Sequence, residues 1–511
     1  MLNPAVSNAR TLPAAPGWTR LLTPSLSDLL FIALLLWLLI FTNSGAPAGL
    51  LQDAGAGVHI RTGDWILSNH AVPRVDPFSF SKPGGPWFAW EWLTDVFFAL
   101  LNQVWGLKGL VLFSGAALAL VCCLIVRHMV VAGANALAAL VVMHAVIAAG
   151  SVHFLARPHI FTLLFLAGSF YFIDQDRRNP TKLLWLLVPL TAVWANLHGG
   201  FTGIILTLGA LAAGSVLELN WRRAARYASL GAGCLGASLL NPYGYHLHEH
   251  VVEFLRAGWI RGIVLEFQPP RLDTAPGVYF EVLLFLGVAM AAKLAYEKRF
   301  AEMLAILMWA HAAMTSVRHV PIFAFLIAPY LAVELTTLMR RASDASADPK
   351  SLFGILSQLG DEHRPGLLRT SLVVPALLLA LFTFSCGFTY PTDFPELKYP
   401  ATALEKHADL IGHTRLYTTD AWGDYLIYRN YPQQRVFFDG RTDYYGEHLT
   451  HDYETLLNGF PGWNDVLNKY AIESVLLPPD SALGTLLKDK PEWKQVDATD
   501  SYQLLTRSPP T

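Results

Sequence analysis

Charge is scarce in this chain. Asp, Glu, Lys and Arg make up 15% of 511 residues, against about a quarter in soluble globular proteins. Apolar residues make up 53%, and mean hydropathy is +0.37. The formal charge of -2 comes from 37 basic and 39 acidic residues. That balance carries neither a nucleic-acid footprint nor an acidic tail. Cysteine is nearly absent: Cys122, Cys123, Cys234 and Cys386 all lie in apolar runs with no CxxC or metal-ligand spacing, so they read as packing residues. There is no Walker, GxGxxG or HExxH motif and no repeat of 20 to 50 residues, which argues against a phosphate-driven pump and a zincin.

Long hydrophobic runs dominate what is present. A spanning helix needs roughly 20 largely apolar residues to cross a ~30 Å hydrocarbon layer. Eleven stretches meet that need: 26–43, 107–126, 135–154, 159–174, 182–197, 201–219, 226–241, 278–296, 301–317, 319–338 and 369–388. A polytopic α-helical membrane protein of about 11 spans is expected, with residues 88–105 as an amphipathic surface helix before the second span. Arg10 and Arg20 precede the first run, but no A-x-A-like cleavage site follows, so that run is expected to be retained as a helix.

Short cytoplasmic loops collect Lys and Arg. The basic turns (Arg127; Arg177, Arg178 and Lys182; Arg222, Arg223 and Arg226; Lys293, Lys298 and Arg299; Arg340 and Arg341) all fall on the side of the N-terminal segment 1–25. The long first loop, 44–106, and the region 390–511 are therefore expected outside the cell's inner (plasma) membrane. The linker 340–368 is expected inside and the transmembrane domain over 26–389. Of 17 histidines, two (His128, His363) fall on the inner side and two (His144, His311) within spans. The rest lie at the outer surface, as do LARPHIF, WANLHGGF, NPYGYHLHEH, EFQPP and SVRHVPIF. Several helix ends are thus expected to converge on one outward-facing cavity. After residue 390, β-rich runs (RLYTT, RVFFDG, ESVLLP, YQLLTR) alternate with helical ones (GDYLIYRN, HDYETLLNGF, WNDVLNKY, SALGTLLKD), which predicts a small α/β domain.

Within the first loop, Asp76 sits between Pro73 and Pro77 in RVDPFSF. Asp-Pro is an ordinary turn starter, yet the rigid aromatic run that follows, with Trp87 and Glu91, is more than a connector needs. Arg157 with His159 and Arg318 with His319 flank prolines at outer helix ends. Snorkelling explains one such arrangement; two matching ones, with His198 nearby, suit a cationic pocket for phosphate or pyrophosphate. His246, His248 and His250 put only the outer two on one helical face, so hydrogen-bonded interfacial histidines are the more ordinary reading than a metal site. Asn241, Tyr243 and Glu266 belong to the converging motifs and are candidate substrate contacts. FFDGRTDYYG adds Arg441 after an expected strand, as a binding residue or one side of an Arg/Asp salt bridge.

At GDWILSNHAVPRVDPFSF and KPGGPWFAWEWL the chain resembles the GT-C superfamily of integral membrane glycosyltransferases that use polyprenyl-phosphate-linked sugars, a bacterial branch most closely. It resembles lipid A aminoarabinose transferases, protein mannosyltransferases and the oligosaccharyltransferase catalytic subunit more distantly. The resemblance implies one or two catalytic acids in the first outer loop. Asp76 matches the later position. The earlier acid lies a few residues before a Trp-His pair; here Val58-His59 stands in that place and Asp53 is the offset acid. It leaves a divalent metal open as a cofactor.

Two functions follow. In the first, Asp76, with Asp53 and Glu91, serves sugar transfer from a polyprenyl-phosphate donor to a glycan, lipid or protein acceptor. Arg157, His159, His198, Arg318 and His319 then hold the departing phosphate, and His59, Trp87, Asn241, Tyr243, His246, His248, Glu266 and Arg441 surround the substrates. In the second, the cavity binds or transports an anionic lipid. Transport calls for polar residues at midplane depth and paired repeats or broken helices, whereas the polar motifs here gather at the outer ends.

Overall fold

The computed structural model describes residues 19–43, 49–346, 350–384 and 389–508. Cys386, most of the N-terminal segment and the end of the last expected span lie outside the described residues.

All eleven expected stretches carry helix, but fewer qualify as spans on length and hydropathy together. Six do: Thr19–Ile40, Leu107–Ala132, Ala136–His153, Gly199–Leu217, Ala275–Tyr296 and Val317–Ser346. The pair Leu352–Leu368 and Val373–Thr383, bent by 60°, makes a seventh if counted as one. Lys182–Leu197 and Phe300–Thr315 are apolar but shorter. Trp221–Ala237 opens on WRRAAR and His159–Arg178 closes on DQDRR, so the charge that ends each stretch lies within the helix itself. Side-chain caps set several starts: Asn135 accepts from the Ala138 N–H at 2.8 Å, and Thr274 accepts from Gly277 ahead of Ala275–Tyr296, with Pro276 in the first turn.

The first loop is far more ordered than a connector. It holds a helix not expected from the sequence, Gly55–Asn69, and a second, Trp92–Trp105, close to the expected 88–105. Glycine is what lets the first of these fit. A Cβ at Gly63 would stand 2.0 Å from the Asp95 carbonyl oxygen, and one at Gly57 would stand 2.5 Å from Tyr428 Cβ. Between the two helices the chain turns back on itself, with the Asp76 N–H donating to Gly85 O and the Trp87 N–H to Arg74 O, each at 3.0 Å.

From residue 390 the chain builds a four-stranded sheet in the order β1-β2-β4-β3: β1 Leu416–Tyr417, β2 Ser474–Leu477, β3 Trp493–Ala498 and β4 Gln503–Arg507. β1 runs parallel to β2 and the other neighbours are antiparallel. Helices Asp420–Asn430, Thr442–Asn458, Trp463–Lys469 and Ala482–Lys488 cover the expected helical runs. Two expectations change. RVFFDG is not a strand of this sheet; its Val436 pairs with the first loop, donating to Phe78 O at 3.0 Å and accepting from the Phe80 N–H at 2.9 Å. The outer strand β3 was not expected, because it is mostly exposed and reads as polar.

Candidate active-site cleft

The first helix of the loop, the ends of three bundle helices and the C-terminal segment meet at one end of the bundle. Asp53 precedes the helix Gly55–Asn69, and its Oδ1 accepts from the Gly55 N–H at 2.8 Å, which places the carboxylate at a helix N-terminus. Its turn is pinned by Tyr399, whose hydroxyl donates to Gln52 O at 3.1 Å and accepts from the Ala54 N–H at 2.8 Å. Arg157 Nη1 lies 2.8 Å from Asp53 Oδ2 and 2.9 Å from Glu266 Oε1. Arg318 Nε reaches Glu266 Oε2 at 3.4 Å, with its guanidinium 4.5 Å over the Phe267 ring. The loops holding these groups are in register, since Ser316 Oγ donates to Glu266 O and the Val317 N–H to Gln268 O, each at 2.9 Å. Burial pushes the Glu266 carboxyl up, but Arg157 and Arg318 outweigh it and hold the group well below the usual carboxylate range. Asp53 raises Arg157 further above its ordinary value.

Beside this chain of charges stands a second group. His59 Nδ1 is 2.7 Å from Asp95 Oδ1, and His59 Nε2 is 3.6 Å from Glu91 Oε2. On its other side, Glu91 Oε1 is 3.5 Å from His198 Nε2. His198 Nδ1 accepts from the Gly200 N–H at 3.0 Å and contacts the Thr162 hydroxyl at 2.7 Å, which leaves the proton on Nε2, facing Glu91. Thr162 is fixed in turn by the Trp194 indole N–H at 2.8 Å. Burial pushes Glu91 up to about 7, with His59 opposing and Asp95 adding. Burial depresses His59, but the Asp95 carboxylate more than reverses this, so the imidazole titrates above its ordinary value. A carboxylate poised near neutrality between two imidazoles, under the electrostatic influence of two guanidinium groups, suits proton transfer.

The structure therefore brings together Asp53, Glu91, His59, Arg157, His198, Glu266 and Arg318. Other expected site residues lie elsewhere. Asp76 is sealed: Oδ2 accepts from the Ser79 N–H and hydroxyl at 2.7 and 2.6 Å, Oδ1 accepts from the Phe78 N–H at 3.1 Å, and Arg441 Nη1 sits 2.7 Å from Oδ1. Burial raises its pKa, yet Arg441 and these donors win and hold it low. With both oxygens engaged and no exposed surface, Asp76 folds the loop rather than meeting a substrate. Arg441 also binds Asp439 and lies 4.6 Å over Trp87, so Trp87 and Arg441 are packing partners beneath the cleft. Asn241 ties its own turn through Ser238 O and Gly244 O. The Tyr243 hydroxyl accepts from the Ala89 N–H and donates to Pro73 O.

The three adjacent histidines diverge. His246 pairs with Glu249 at the surface, His248 contacts Ser238 Oγ, and His250 reaches Asp443 while stacking on Phe88. His159 and His319 hold the carbonyls of His153 and Ala312, and so secure helix ends beside the arginines.

Three contributors were not expected. Asp95 and Thr162 lie within apolar helical runs, where a lone polar residue in DVFFALL or HIFTLLF was the available signal. Asp424 enters from the C-terminal segment; its carboxylate accepts from the Gly440 N–H at 2.9 Å, and a Cβ at Gly55 would lie within 4 Å of both Asp424 and Asp53. Burial, reinforced by Asp439 and Asp53, raises Asp424 well above the usual carboxylate range. Among the described residues no group of three or more His, Cys, Asp or Glu is arranged to hold a metal. The two loop acids do not fit a shared metal, because Asp53 is bound to Arg157 and Asp76 to Arg441.

Fold and cleft together define a multi-helix protein with spans apolar enough for a membrane and a charged site at their ends. No family model and no curated protein matches the chain. Among solved structures, the crystal structure of the Archaeoglobus fulgidus oligosaccharyltransferase in the apo form is similar over 90% of this chain and 69% of that one, with 13% identity and a TM-score of 0.49.

Proposed function

We propose that the chain is a membrane glycosyltransferase of the GT-C kind, which moves a sugar from a polyprenyl-phosphate donor to an acceptor hydroxyl at the outer face. The observation that carries this reading is the placement of Glu91, raised to about 7, between the His59 and His198 imidazoles at 3.6 and 3.5 Å and within the electrostatic influence of Arg157 and Arg318. The acceptor oxygen attacks the anomeric carbon as its proton passes to the Glu91 carboxylate. The bond from that carbon to the phosphate oxygen breaks, and its electron pair leaves on the phosphate. Arg157 and Arg318, already oriented by Asp53 and Glu266, receive that charge, so little reorganisation is needed during reaction. His59 and His198 hold Glu91 in place and offer a path for the proton. The polyprenyl tail lies along the apolar helices, while the first loop and residues 390–511 face outward and the basic turns inward.

The test is to incubate purified protein with a panel of radiolabelled polyprenyl-phosphate sugars and acceptor lipids and follow loss of lipid-linked label. Turnover of one donor, lowered about 10²- to 10⁴-fold in Glu91→Gln, is expected. Tight donor binding with no turnover of any member would instead favour a binding or transport protein.

A further inference from the structure

The helix His159–Arg178 runs from the cleft to a second charged site at its other end. Twenty residues at 1.5 Å each put the two about 30 Å apart. There a cavity of about 510 Å³ opens, to which Arg177, Arg178, Arg223, Lys298 and Arg299 contribute cationic groups.

Three carboxylates also line it, but each is engaged. Glu302 Oε1 accepts from Arg177 Nε at 3.0 Å and Arg299 Nη2 at 2.9 Å, and its Oε2 accepts from Arg177 Nη2 at 2.6 Å. Glu218 Oε1 accepts from the Ala301 N–H at 2.8 Å. Asp174 is held by Arg178 at 3.0 Å and His128 at 3.3 Å.

Donors are left over. Arg177 is about nine-tenths buried, its side chain 10% exposed, and its Nη1 lacks a well-formed hydrogen bond, with the buried Tyr227 hydroxyl as a neighbouring polar group. A buried guanidinium N–H without an acceptor is costly and calls for one. Arg223 donates from Nη2 to Arg177 O at 3.2 Å, but its Nη1 stands 3.8 Å from Glu218, beyond hydrogen-bonding distance, and the exposed Lys298 ammonium has no ion pair among the described residues. An oxygen-rich dianion or monoanion fills this need, and the planar guanidinium fork suits phosphate geometry.

The rim says how such a group arrives. Leu219 and Trp221, on either side of the lining residue Asn220 in the chain, and Tyr296, two residues before Lys298, are strongly exposed, as aromatic and aliphatic side chains are at a bilayer interface. Leu219 and Lys298 hold left-handed backbone, with φ of 57° and 58°, in the two tight turns that shape the opening.

We propose that this cavity is a second ligand site, separate from the cleft, that binds a phosphate group carried on the head of an anionic membrane lipid.

The test uses the full-length protein in nanodiscs of phosphatidylcholine with or without phosphatidylglycerol, counting retained lipids by native mass spectrometry. A second arm titrates inorganic phosphate in phosphatidylcholine alone. Selective retention of phosphatidylglycerol is expected, falling about tenfold or more in Arg223→Ala/Lys298→Ala, the scale of a lost charge-assisted hydrogen bond. The exposed pair Lys182→Ala/Arg222→Ala should retain it as the parent does. Lys298→Ala alone, at an exposed position, gives a smaller loss and keeps the test open should the double variant misfold. Phosphate binding that is lost in the double variant without phosphatidylglycerol enrichment would keep the phosphate site and assign it a soluble ligand. Equal retention of lipid and equal phosphate binding in parent and folded variants would overturn the proposal.

Discussion

Arg441 and Arg157 each lie between two carboxylates at hydrogen-bonding distance, yet their surroundings are opposite. Around Arg441, Asp76 and Asp439 have no exposed side-chain surface and three aromatic rings cover the guanidinium. At the other bridge, Arg157, Asp53 and Glu266 each keep more than a quarter of their side-chain surface open. One bridge joins two parts of the chain, the loop at Asp76 and the C-terminal segment at Asp439. The other joins the first loop at Asp53 to Glu266 and stays partly open to solvent. Composition alone does not separate a staple from a binding site; access does. A sealed pair that loses one partner leaves an uncompensated charge, whereas an open pair lets water and ligands take the vacated place.

The largest effect expected from this contrast is on stability. Asp76→Ala should lower unfolding free energy by about 3 to 5 kcal/mol, and Asp53→Ala by roughly 0.2 to 1 kcal/mol, measured as resistance to chemical denaturation of the purified protein. Equal losses would make the cleft bridge a staple too. Next comes ligand affinity. Arg157→Lys and Arg318→Lys should each weaken donor binding about 10- to 150-fold, the loss of a charge-assisted hydrogen bond. Arg441→Lys should leave the affinity of its folded fraction unchanged, and a similar fall there would erase the distinction between the bridges.

The smallest effect is on pH dependence. Glu91 accepts a proton only when ionised, so with its pKa near 7 the transfer rate should rise about tenfold between about pH 6 and pH 8 and then level. Glu91→Gln should flatten that rise in whatever activity remains. The same upward shift favours the folded state while Glu91 is protonated. Stability owed to this group therefore falls as pH rises from about 4.5 through about 7, which denaturation of the parent and Glu91→Gln across that window would reveal.

Hydropathy made the helical stretches legible, because an apolar run of sufficient length has few other destinations. Six of the helices, or seven with the bent pair, also meet the length and hydropathy of a full span, while Lys182–Leu197 and Phe300–Thr315 are apolar but short. The helix Gly55–Asn69 was hidden by GAG and a further Gly63. Those glycines disfavour helix locally, but here they admit Tyr428 and the Asp95 backbone, so tertiary contact overrode propensity. Several outer-end histidines and arginines meet acids of the first loop and Glu266 in one charged cluster. Their individual roles did not follow, because His159 and His319 bond to carbonyls that no local pattern identifies. The burial of Asp76 was not legible for a related reason: the partner that closes over it, Arg441, is 365 residues away.

That separation has a bearing on how the molecule is made. The first loop is held by Val436 across Phe78 and Phe80, by Tyr444 at Lys82 and by Arg441 at Asp76. A ribosome adding residues in order must produce the whole helical bundle before any of these groups exists. Contacts of such long sequence separation form late, after nearby ones. The chain therefore passes through synthesis and insertion with its first loop unclamped and Asp424 absent from beside Asp53. The charged cluster is complete only once Asp424 has been added, and a chain interrupted before residue 420 carries its bundle without that carboxylate.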